Sequence, residues 1–213
     1  ELNGKINKDF GKEGFIGYYG EDFLSLVPPI IDNNNLLVAH QKKIESYALP
    51  SGKTNWSLKL NGARIWSPFS YDKSNKTIVA VTSNLFNLIG TTVPNPDYSN
   101  SVLLIDSETG KIRCKFKDTI LDHWDLDMTG SPIIHKSMIK NKIKSLAYAF
   151  SKNGNIFIID IKNCKLINED SIKIIKTDTK TEIPNQLTVN SSIMFRQFCR
   201  HFSTFVRYRF VDV

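Results

Sequence analysis

The chain has 213 residues, of which 41% are hydrophobic and 23% are charged, and its formal net charge is +7. This composition is typical of a globular protein with a buried core and excludes an intrinsically disordered chain. No apolar run reaches the length of about eighteen residues that spans a bilayer, and no signal peptide is visible, although the start at Glu1 indicates a cut terminus. The lysines are spread along the chain, which predicts a solvated surface and no compact nucleic-acid-binding patch.

Short β-rich runs separated by turns occupy most of the chain up to Asp160. The predicted strands are 36–40, 43–49, 54–60, 77–82, 101–105, 112–116, 146–150 and 156–160. The dipeptide Asn153-Gly154 predicts a type I′ turn between the last two of these strands. The segment 86–100 has no periodicity and is rich in Pro, Asn and Gly, so it is predicted to be a long functional loop.

A turn motif recurs four times, about fifty residues apart. Its glycine-equivalent positions are Gly4, Gly52, Gly110 and Cys164, in the segments LNGK, LPSGK, DSETGK and DIKNCK. A small sheet cannot bury both of its faces alone, so hairpins repeated at this period are typical of stacked propeller blades. The sequence therefore predicts an all-β propeller.

The cysteines and the common catalytic motifs exclude several site classes. Cys114, Cys164 and Cys199 lack the CxxC spacing of a zinc site or a redox dithiol, and they leave the cellular compartment open. Ser-His-Asp, P-loop and Gly-rich dinucleotide patterns are absent, so a nicotinamide-dependent enzyme is not predicted.

Five segments stand out from the repeats. They are 62–72 (GARIWSPFSYD), 80–84 (AVTSN), 98–111 (YSNSVLLIDSETGK), 122–132 (DHWDLDMTGSP) and 151–160 (SKNGNIFIID). Taken in this order, they resemble the pyrroloquinoline quinone (PQQ)-dependent alcohol and sugar dehydrogenases, and most of all the glucose-dehydrogenase-like branch. The resemblance covers about Leu2 to Asn168. It implies a partial β-propeller with four-stranded antiparallel blades, about half of an eight-bladed quinoprotein ring.

The resemblance assigns Asp125 as the catalytic base and Asn84 as a ligand of calcium or another divalent cation. A carboxylate within hydrogen-bond reach of an alcohol takes the hydroxyl proton as hydride leaves carbon. Calcium prefers amide and carboxylate oxygens and would polarise a quinone carbonyl. By residue type alone, Asp122, Asp125 and Asp127 are also typical of a turn or a surface cluster, and Asn84 of a strand-end cap.

The resemblance also assigns Trp66 and Lys152 to cofactor binding. A planar quinone gains dispersion and exclusion from water on an indole face, and an ammonium group stabilises the reduced anionic quinone. Taken without the family, Trp66 is also typical of a core residue and Lys152 of a solvated turn lysine. If the resemblance holds, Trp66, Asn84, Asp125 and Lys152 line one cavity at the propeller axis.

The chain departs from the resembled family at several positions. Leu121 stands where a His is usual, His123 where an apolar residue is usual, and Ser83 where a Gly is usual. The family also supplies a cation-binding glutamate and an arginine from an earlier blade. The corresponding stretch 31–49 has no matching glutamate, because Glu45 lies on the strand of the turn motif.

The resemblance implies a PQQ-dependent oxidoreductase that oxidises an alcohol or sugar hydroxyl and passes electrons to a quinone or cytochrome. It also implies a periplasmic or periplasm-facing membrane location, with membrane association through a region that precedes this chain. The chain alone is expected to be inactive, because half of the blades leave the cavity incomplete and apolar faces open. The alternative is a non-catalytic propeller of the same repeat type that serves as a binding scaffold, since the fold alone does not separate the two.

We predict a partial propeller over residues 1–168 and an irregular segment over 169–213. Within the tail 195–213, arginine replaces lysine as the main cation, and phenylalanines recur at helical spacing. This tail is either a basic amphipathic helix for a membrane surface or a partner, or a stretch foreign to the fold. The abrupt change in composition favours the second interpretation.

Overall fold

The computed structural model describes residues 4–16, 27–84, 97–120, 122, 125–139 and 141–171, all within the compact unit Glu1–Lys173. Over these residues the regular structure consists of twelve β-strands, and no helix occurs. The strands are β1 (Ile30–Asp32), β2 (Asn35–Ala39), β3 (Lys43–Ala48), β4 (Thr54–Lys59), β5 (Ser70–Asp72), β6 (Thr77–Val81), β7 (Ser101–Asp106), β8 (Ile112–Lys117), β9 (Met128–Ile139), β10 (Lys142–Ser151), β11 (Asn155–Asp160) and β12 (Lys165–Ser171).

The strands form three four-stranded antiparallel sheets, each built from four consecutive strands. Sheet 1 has the order β1-β2-β3-β4, sheet 2 the order β5-β6-β7-β8, and sheet 3 the order β9-β10-β11-β12. Most connections within the sheets are short turns, which join antiparallel neighbours, whereas β6 and β7 are joined by the longer connection 82–100. The predicted all-β fold with four-stranded antiparallel blades is confirmed.

Sheet 2 is buried on both faces, because its central strands β6 and β7 are continuous apolar runs whose alternate residues point to opposite sides. The core that it shares with sheet 1 includes Leu37, Ala39, Ile44, Ile78, Ala80, Leu103 and Ile105. The core that it shares with sheet 3 includes Val79, Val81, Val102, Leu104, Ala147, Ala149, Phe157 and Ile159. Each sheet thus covers an apolar face of its neighbour, as expected for stacked repeats.

The repeated turn lies between the third and fourth strands of each sheet. Gly52 joins β3 to β4, Gly110 joins β7 to β8, and Cys164 joins β11 to β12, with φ of 68°, 70° and 52°. The amides of Gly52 and Gly110 each donate to the carbonyl four residues earlier, at 2.7 and 2.8 Å. The predicted repeat therefore marks the same position in all three sheets. Gly4 has the same kind of backbone, with φ of 75°, but lies in a described segment without named strands.

The connection between β10 and β11 differs from the predicted type I′ turn. The amide of Gly154 donates to the carbonyl of Ser151 at 3.0 Å, so Lys152 and Asn153 are the central residues, and of these three only Gly154 has a positive φ, 84°. A type I′ turn needs a positive φ at both central residues. The turn therefore begins one residue earlier than the Asn-Gly pair predicts, and Lys152 lies inside it.

A disulfide joins sheets 2 and 3. It connects Cys114 on β8 to Cys164 in the β11–β12 turn, over a sequence separation of 50 residues. The cysteine spacing did not predict this pair, because the two residues meet only when the sheets stack. Disulfides of this kind form and persist in oxidising compartments.

Some predictions concern residues outside the described ranges. These are residues 86–96 of the predicted long loop, Leu121, His123 and the whole tail 195–213. Strand β12 extends to Ser171, so the predicted boundary at 168 falls within this strand, and the division of the chain stays a prediction. In the described part of the chain, no helix is long and apolar enough to cross a membrane.

Candidate functional site

The four predicted site residues lie in connections at one edge of the stacked sheets. Trp66 lies between β4 and β5, Asn84 follows β6, Asp125 lies between β8 and β9, and Lys152 follows β10. The end of β6, the start of β7 and the end of β8 meet at one edge of sheet 2, as the register shows. The start of β9 and the end of β10 meet at the corresponding edge of sheet 3.

Backbone hydrogen bonds tie the Trp66 and Asn84 connections together. The amide of Ser83, next to Asn84, donates to the carbonyl of Arg64 at 2.8 Å. The carbonyl of Ser83 accepts from the amide of Asn100 at 3.1 Å. The segments that carry Trp66 and Asn84 are therefore neighbours, and both contact the segment that enters β7.

A buried amide–carboxylate pair holds the connection that carries Asp125. Asn100, which is fully buried, donates from Nδ2 to Oδ2 of Asp122 at 2.9 Å. The other oxygen of Asp122 accepts from the amide of Leu126 at 2.9 Å. Through these two hydrogen bonds the buried Asp122 ties Leu126, the residue after Asp125, to Asn100. Asp125 itself has a φ of 59°, which turns the chain sharply at this point.

Lys152 lies between two carboxylates of this connection. Its Nζ is 2.9 Å from Oδ2 of Asp125 and 2.7 Å from Oδ1 of Asp127. Its amide also donates to the carbonyl of Asp127 at 2.9 Å. The side chain of Asp125 is 66% exposed, whereas that of Asp127 is 4% exposed. The structure thus brings together two of the four predicted residues, Asp125 and Lys152, with Asp127 beneath them.

Burial and charge shape the protonation of this group. Burial raises the pKa of the Asp127 carboxyl to about 6, against the opposing hydrogen bond and charge of Lys152. Burial acts to lower the pKa of Lys152, but its hydrogen bonds to Asp125 and Asp127 outweigh this effect and raise the pKa above its ordinary value. Lys152 is therefore a cation at neutral pH, and Asp127 is a carboxyl group that takes up a proton in mildly acidic solution.

Trp66 and Asn84 make no hydrogen bond or ion pair with Asp125 or Lys152 among the described residues. Trp66 is 46% exposed, so an indole face remains accessible beside the other connections. Asn84 is partly buried, and its carbonyl accepts from Oγ of Ser83 at 3.1 Å. The shared cavity of all four residues stays a prediction.

Among the described residues, Trp66 and Lys152 have the side-chain chemistry that suits a flat, oxygen-rich anion such as PQQ. Trp66 offers an exposed aromatic face, and Lys152 offers a cation that is held in place.

The same residues do not complete a calcium site. Among the described residues, no group of three or more His, Cys, Asp or Glu side chains is arranged to hold a metal ion. Glu45 is buried, and its oxygens contact His40, Lys43 and Tyr47, with 3.2 Å to Nε2 of His40 and 3.3 Å to Nζ of Lys43. This carboxylate is engaged within sheet 1 and is not available as a calcium ligand.

Comparison with known proteins identifies the family. A family model described as "PQQ: Glucose/ethanol/alcohol dehydrogenase, beta-propeller domain" matches residues 39–177, more than half of the chain. The chain belongs to this family. The resemblance of the five sequence segments to PQQ-dependent dehydrogenases is thereby confirmed.

Curated members of the PQQ family align with part of this chain. The chain is 26% identical over 125 residues to the quinoprotein glucose dehydrogenase of Escherichia coli, which is 56% of this chain and 15% of that protein. It is 26% identical over 206 residues to quinoprotein glucose dehydrogenase A of Acinetobacter calcoaceticus, which is 75% of this chain and 25% of that protein. The chain thus spans a quarter or less of the length of these two relatives.

Solved structures show the same fold. A europium-containing methanol dehydrogenase superposes with a TM-score of 0.59 at 16% identity, covering 70% of this chain and 34% of the other. The quinohemoprotein alcohol dehydrogenase of Comamonas testosteroni superposes with a TM-score of 0.58 at 18% identity, covering 67% and 28%. The three sheets are therefore part of a PQQ-family β-propeller.

Sequence reasoning gave no role to Asp127 or Asn100. Asp127 lies in the predicted aspartate cluster, but spacing alone does not show which carboxylate is buried. Asn100 has a φ of 47°, in the left-handed region that Asn adopts more readily than most residues. This preference of Asn is the only signal for its role that the sequence offers. Both residues hold the connections on which the predicted site residues lie.

Proposed function

We propose that the protein is a PQQ-dependent oxidoreductase that oxidises an alcohol or sugar hydroxyl, with Asp125 as the base. The observation that carries this proposal is the contact of 2.9 Å between Lys152 and Asp125 in a chain of the PQQ family. In this arrangement an exposed carboxylate and a held cation stand side by side. An enzyme that removes a proton next to a reducible quinone needs both groups.

In this proposal Asp125 would accept the hydroxyl proton. Its Oδ2 is bonded by Lys152, and its exposed side chain leaves Oδ1 to receive a hydrogen bond from the substrate hydroxyl. The amide of Leu126, the next residue, is held by Asp122, which limits the freedom of the chain at Asp125 before substrate binds. When bound, PQQ supplies the redox chemistry by accepting two electrons from the substrate C–H bond.

Lys152 and Trp66 would hold the cofactor. The Lys152 ammonium would donate hydrogen bonds to quinone oxygens, and the indole of Trp66 would provide a stacking face. Asn84 remains our candidate for a calcium ligand, which requires further ligands from the rest of the protein. We also propose that the protein passes the electrons to a quinone or cytochrome. Its proposed location is periplasm-facing, with membrane association. The disulfide Cys114–Cys164 supports an oxidising compartment.

The direct test uses the natural full-length protein. Titration with PQQ in the presence of calcium, followed by assay of alcohol and sugar donors with an artificial electron acceptor, is expected to give saturable binding and turnover. The matched variant Lys152→Met keeps side-chain length and removes the charge, so it is expected to weaken PQQ binding. Absence of both PQQ binding and turnover in the wild-type protein would support the non-catalytic scaffold, which the lack of a matching glutamate in residues 31–49 favours.

A further inference from the structure

The end of β8 contacts the turn that carries Lys152 through a single carboxylate. Asp118 follows β8 in sheet 2, and both of its oxygens accept hydrogen bonds from sheet 3. Asn153 donates from Nδ2 to Oδ2 at 2.7 Å, and Asn155 donates from Nδ2 to Oδ1 at 2.6 Å. One side chain therefore clamps the β10–β11 turn on the far side of Lys152.

The near side of the same turn is also held. The amide of Lys152 donates to the carbonyl of Asp127 at 2.9 Å. The Nζ of Lys152 is held at its tip by Asp125 and Asp127, so its position is set by these carboxylates together with the place where the turn holds Cα. With hydrogen bonds on both sides, the turn has little freedom to shift relative to the carboxylates of Asp125 and Asp127.

Asp118 is itself anchored in the network described above. Its amide donates to the carbonyl of Asn100 at 2.8 Å, and Asn100 is the buried residue that bonds Asp122. Lys152 comes from sheet 3, whereas Asn84 and Asn100 belong to connections of sheet 2. Asp118 thus links the turn that carries Lys152 in sheet 3 to the connection that carries Asn100 in sheet 2, through hydrogen bonds on both sides.

We infer that Asp118 is a positioning residue that sets the location of the Lys152 ammonium through Asn153 and Asn155. Its effect would be indirect, because its side chain bonds Asn153 in the turn and Asn155 at the start of β11. The inference rests on the proposed role of Lys152. A group that must meet its target within about 1 Å loses efficiency steeply when its support is loosened.

The test compares Asp118→Asn with a rescue variant and a control, all in the natural full-length protein. In Asp118→Asn, the negative charge is lost and one carboxylate oxygen becomes an amide NH2, so a charge-assisted hydrogen bond is replaced by a weaker neutral one. The double variant Asp118→Asn/Asn153→Asp restores a charge-assisted hydrogen bond with reversed polarity and restores the net charge. Asp106→Asn is the control, because Asp106 caps the β7–β8 turn of the same sheet through Thr109 and does not contact the Lys152 turn.

Two measurements separate positioning from general destabilisation. Hydrogen exchange of a peptide covering residues 151–155, measured without PQQ, is expected to be about tenfold faster in Asp118→Asn, normal in Asp106→Asn, and restored in the double variant. PQQ affinity is expected to fall by about tenfold in Asp118→Asn and to recover in the double variant.

The outcomes distinguish this inference from the proposed function. If wild-type protein binds no PQQ, the proposed function fails, and the exchange measurement still decides whether Asp118 fixes the turn. If wild-type protein binds PQQ but Asp118→Asn changes neither exchange nor affinity, Asp118 is not a positioning residue. Equal effects of Asp106→Asn and Asp118→Asn, or a double variant that stays defective, would also overturn the inference.

Discussion

Trp56 of sheet 1 lies directly over Gly110 of sheet 2. A Cβ added to Gly110 would lie 2.5 Å from Cε3 of the indole, and Nε1 of Trp56 donates to the carbonyl of Ser107 in the same turn at 3.0 Å. The repeated turn thus does more than reverse the chain. In sheet 2 it also receives an aromatic side chain from the preceding sheet, which needs the absence of a side chain at Gly110.

Gly110→Ala is expected to destabilise the protein by about 3 kcal/mol. About 1 kcal/mol comes from the left-handed backbone, at φ 70°, and the rest from overpacking against Trp56. Gly4→Ala is the matched control, because Gly4 has φ 75° but nothing within 4 Å of an added Cβ, so only about 1 kcal/mol is expected. Thermal unfolding of both variants measures the difference, and equal losses would contradict the contact.

The strands could be predicted where the sequence pattern reflects burial. The apolar runs of β6 and β7 indicated strands because these strands are buried on both sides. Strand β9 was missed, since its polar residues His135, Lys136 and Ser137 stand in succession and give no alternation. The turn at Lys152 was assigned wrongly because the Asn-Gly preference is local, whereas the hydrogen bond from Gly154 to Ser151 depends on the register of the hairpin.

The candidate site was predictable only as far as the family motifs extend. The motifs indicated Asp125 and Lys152, which the structure places in contact. They did not indicate Asp118 or Cys164, whose partners come from a neighbouring sheet. Contacts between sheets depend on stacking, which leaves no periodic signal in one sequence.

Asp125→Asn is expected to lower kcat by about 10²–10⁴ in the natural full-length protein while PQQ binding survives. The amide keeps the size of the carboxylate but cannot take the hydroxyl proton. Steady-state kinetics with an alcohol or sugar donor and an artificial electron acceptor measure the effect. Near-normal turnover would show that Asp125 is not the base.

Asn84→Ala is expected to weaken calcium binding, whereas Asp125→Asn is expected to remove the group that accepts the hydroxyl proton. Loss of the amide oxygen should weaken the retention of calcium and of PQQ by about tenfold, with partial rescue by excess calcium. Calcium titration followed by PQQ binding tests this. Asn84→Asp, which keeps a ligand oxygen, serves as the comparison and should retain more affinity than the alanine variant. Unchanged calcium and PQQ retention in Asn84→Ala would remove this residue from the metal site.

The free energy of unfolding should depend on the protonation of Asp127 between about pH 4 and pH 6. Burial raises the pKa of this carboxyl to about 6 in the folded state, from about 4 in the unfolded chain. The folded state therefore binds the proton more tightly, and stability falls as the pH rises through this window. Asp127→Asn cannot titrate, so the wild-type melting temperature should fall relative to that of the variant from pH 4 to pH 6 and run parallel above it. Parallel curves across the whole range would show that the carboxyl is not perturbed.

Replacing Cys114 and Cys164 by serine should cost about 2–4 kcal/mol of stability, because the unfolded chain gains the freedom that the cross-link removed. Thermal unfolding with and without a reductant tests this: the wild-type protein should respond to the reductant, and the double variant should not. Mass spectrometry of unreduced peptides should show Cys114 linked to Cys164, and two free thiols at these positions would contradict the pairing.

All four predicted site residues stand in connections, while most residues of the apolar interior belong to strands. Natural selection can therefore act on the two sets separately. A change at Trp66 or Lys152 alters what is recognised at the edge and leaves the apolar interior intact, whereas a change in β6 or β7 disturbs two sheets at once. Lineages that share this scaffold can thus diverge in specificity while their strands remain under common constraint.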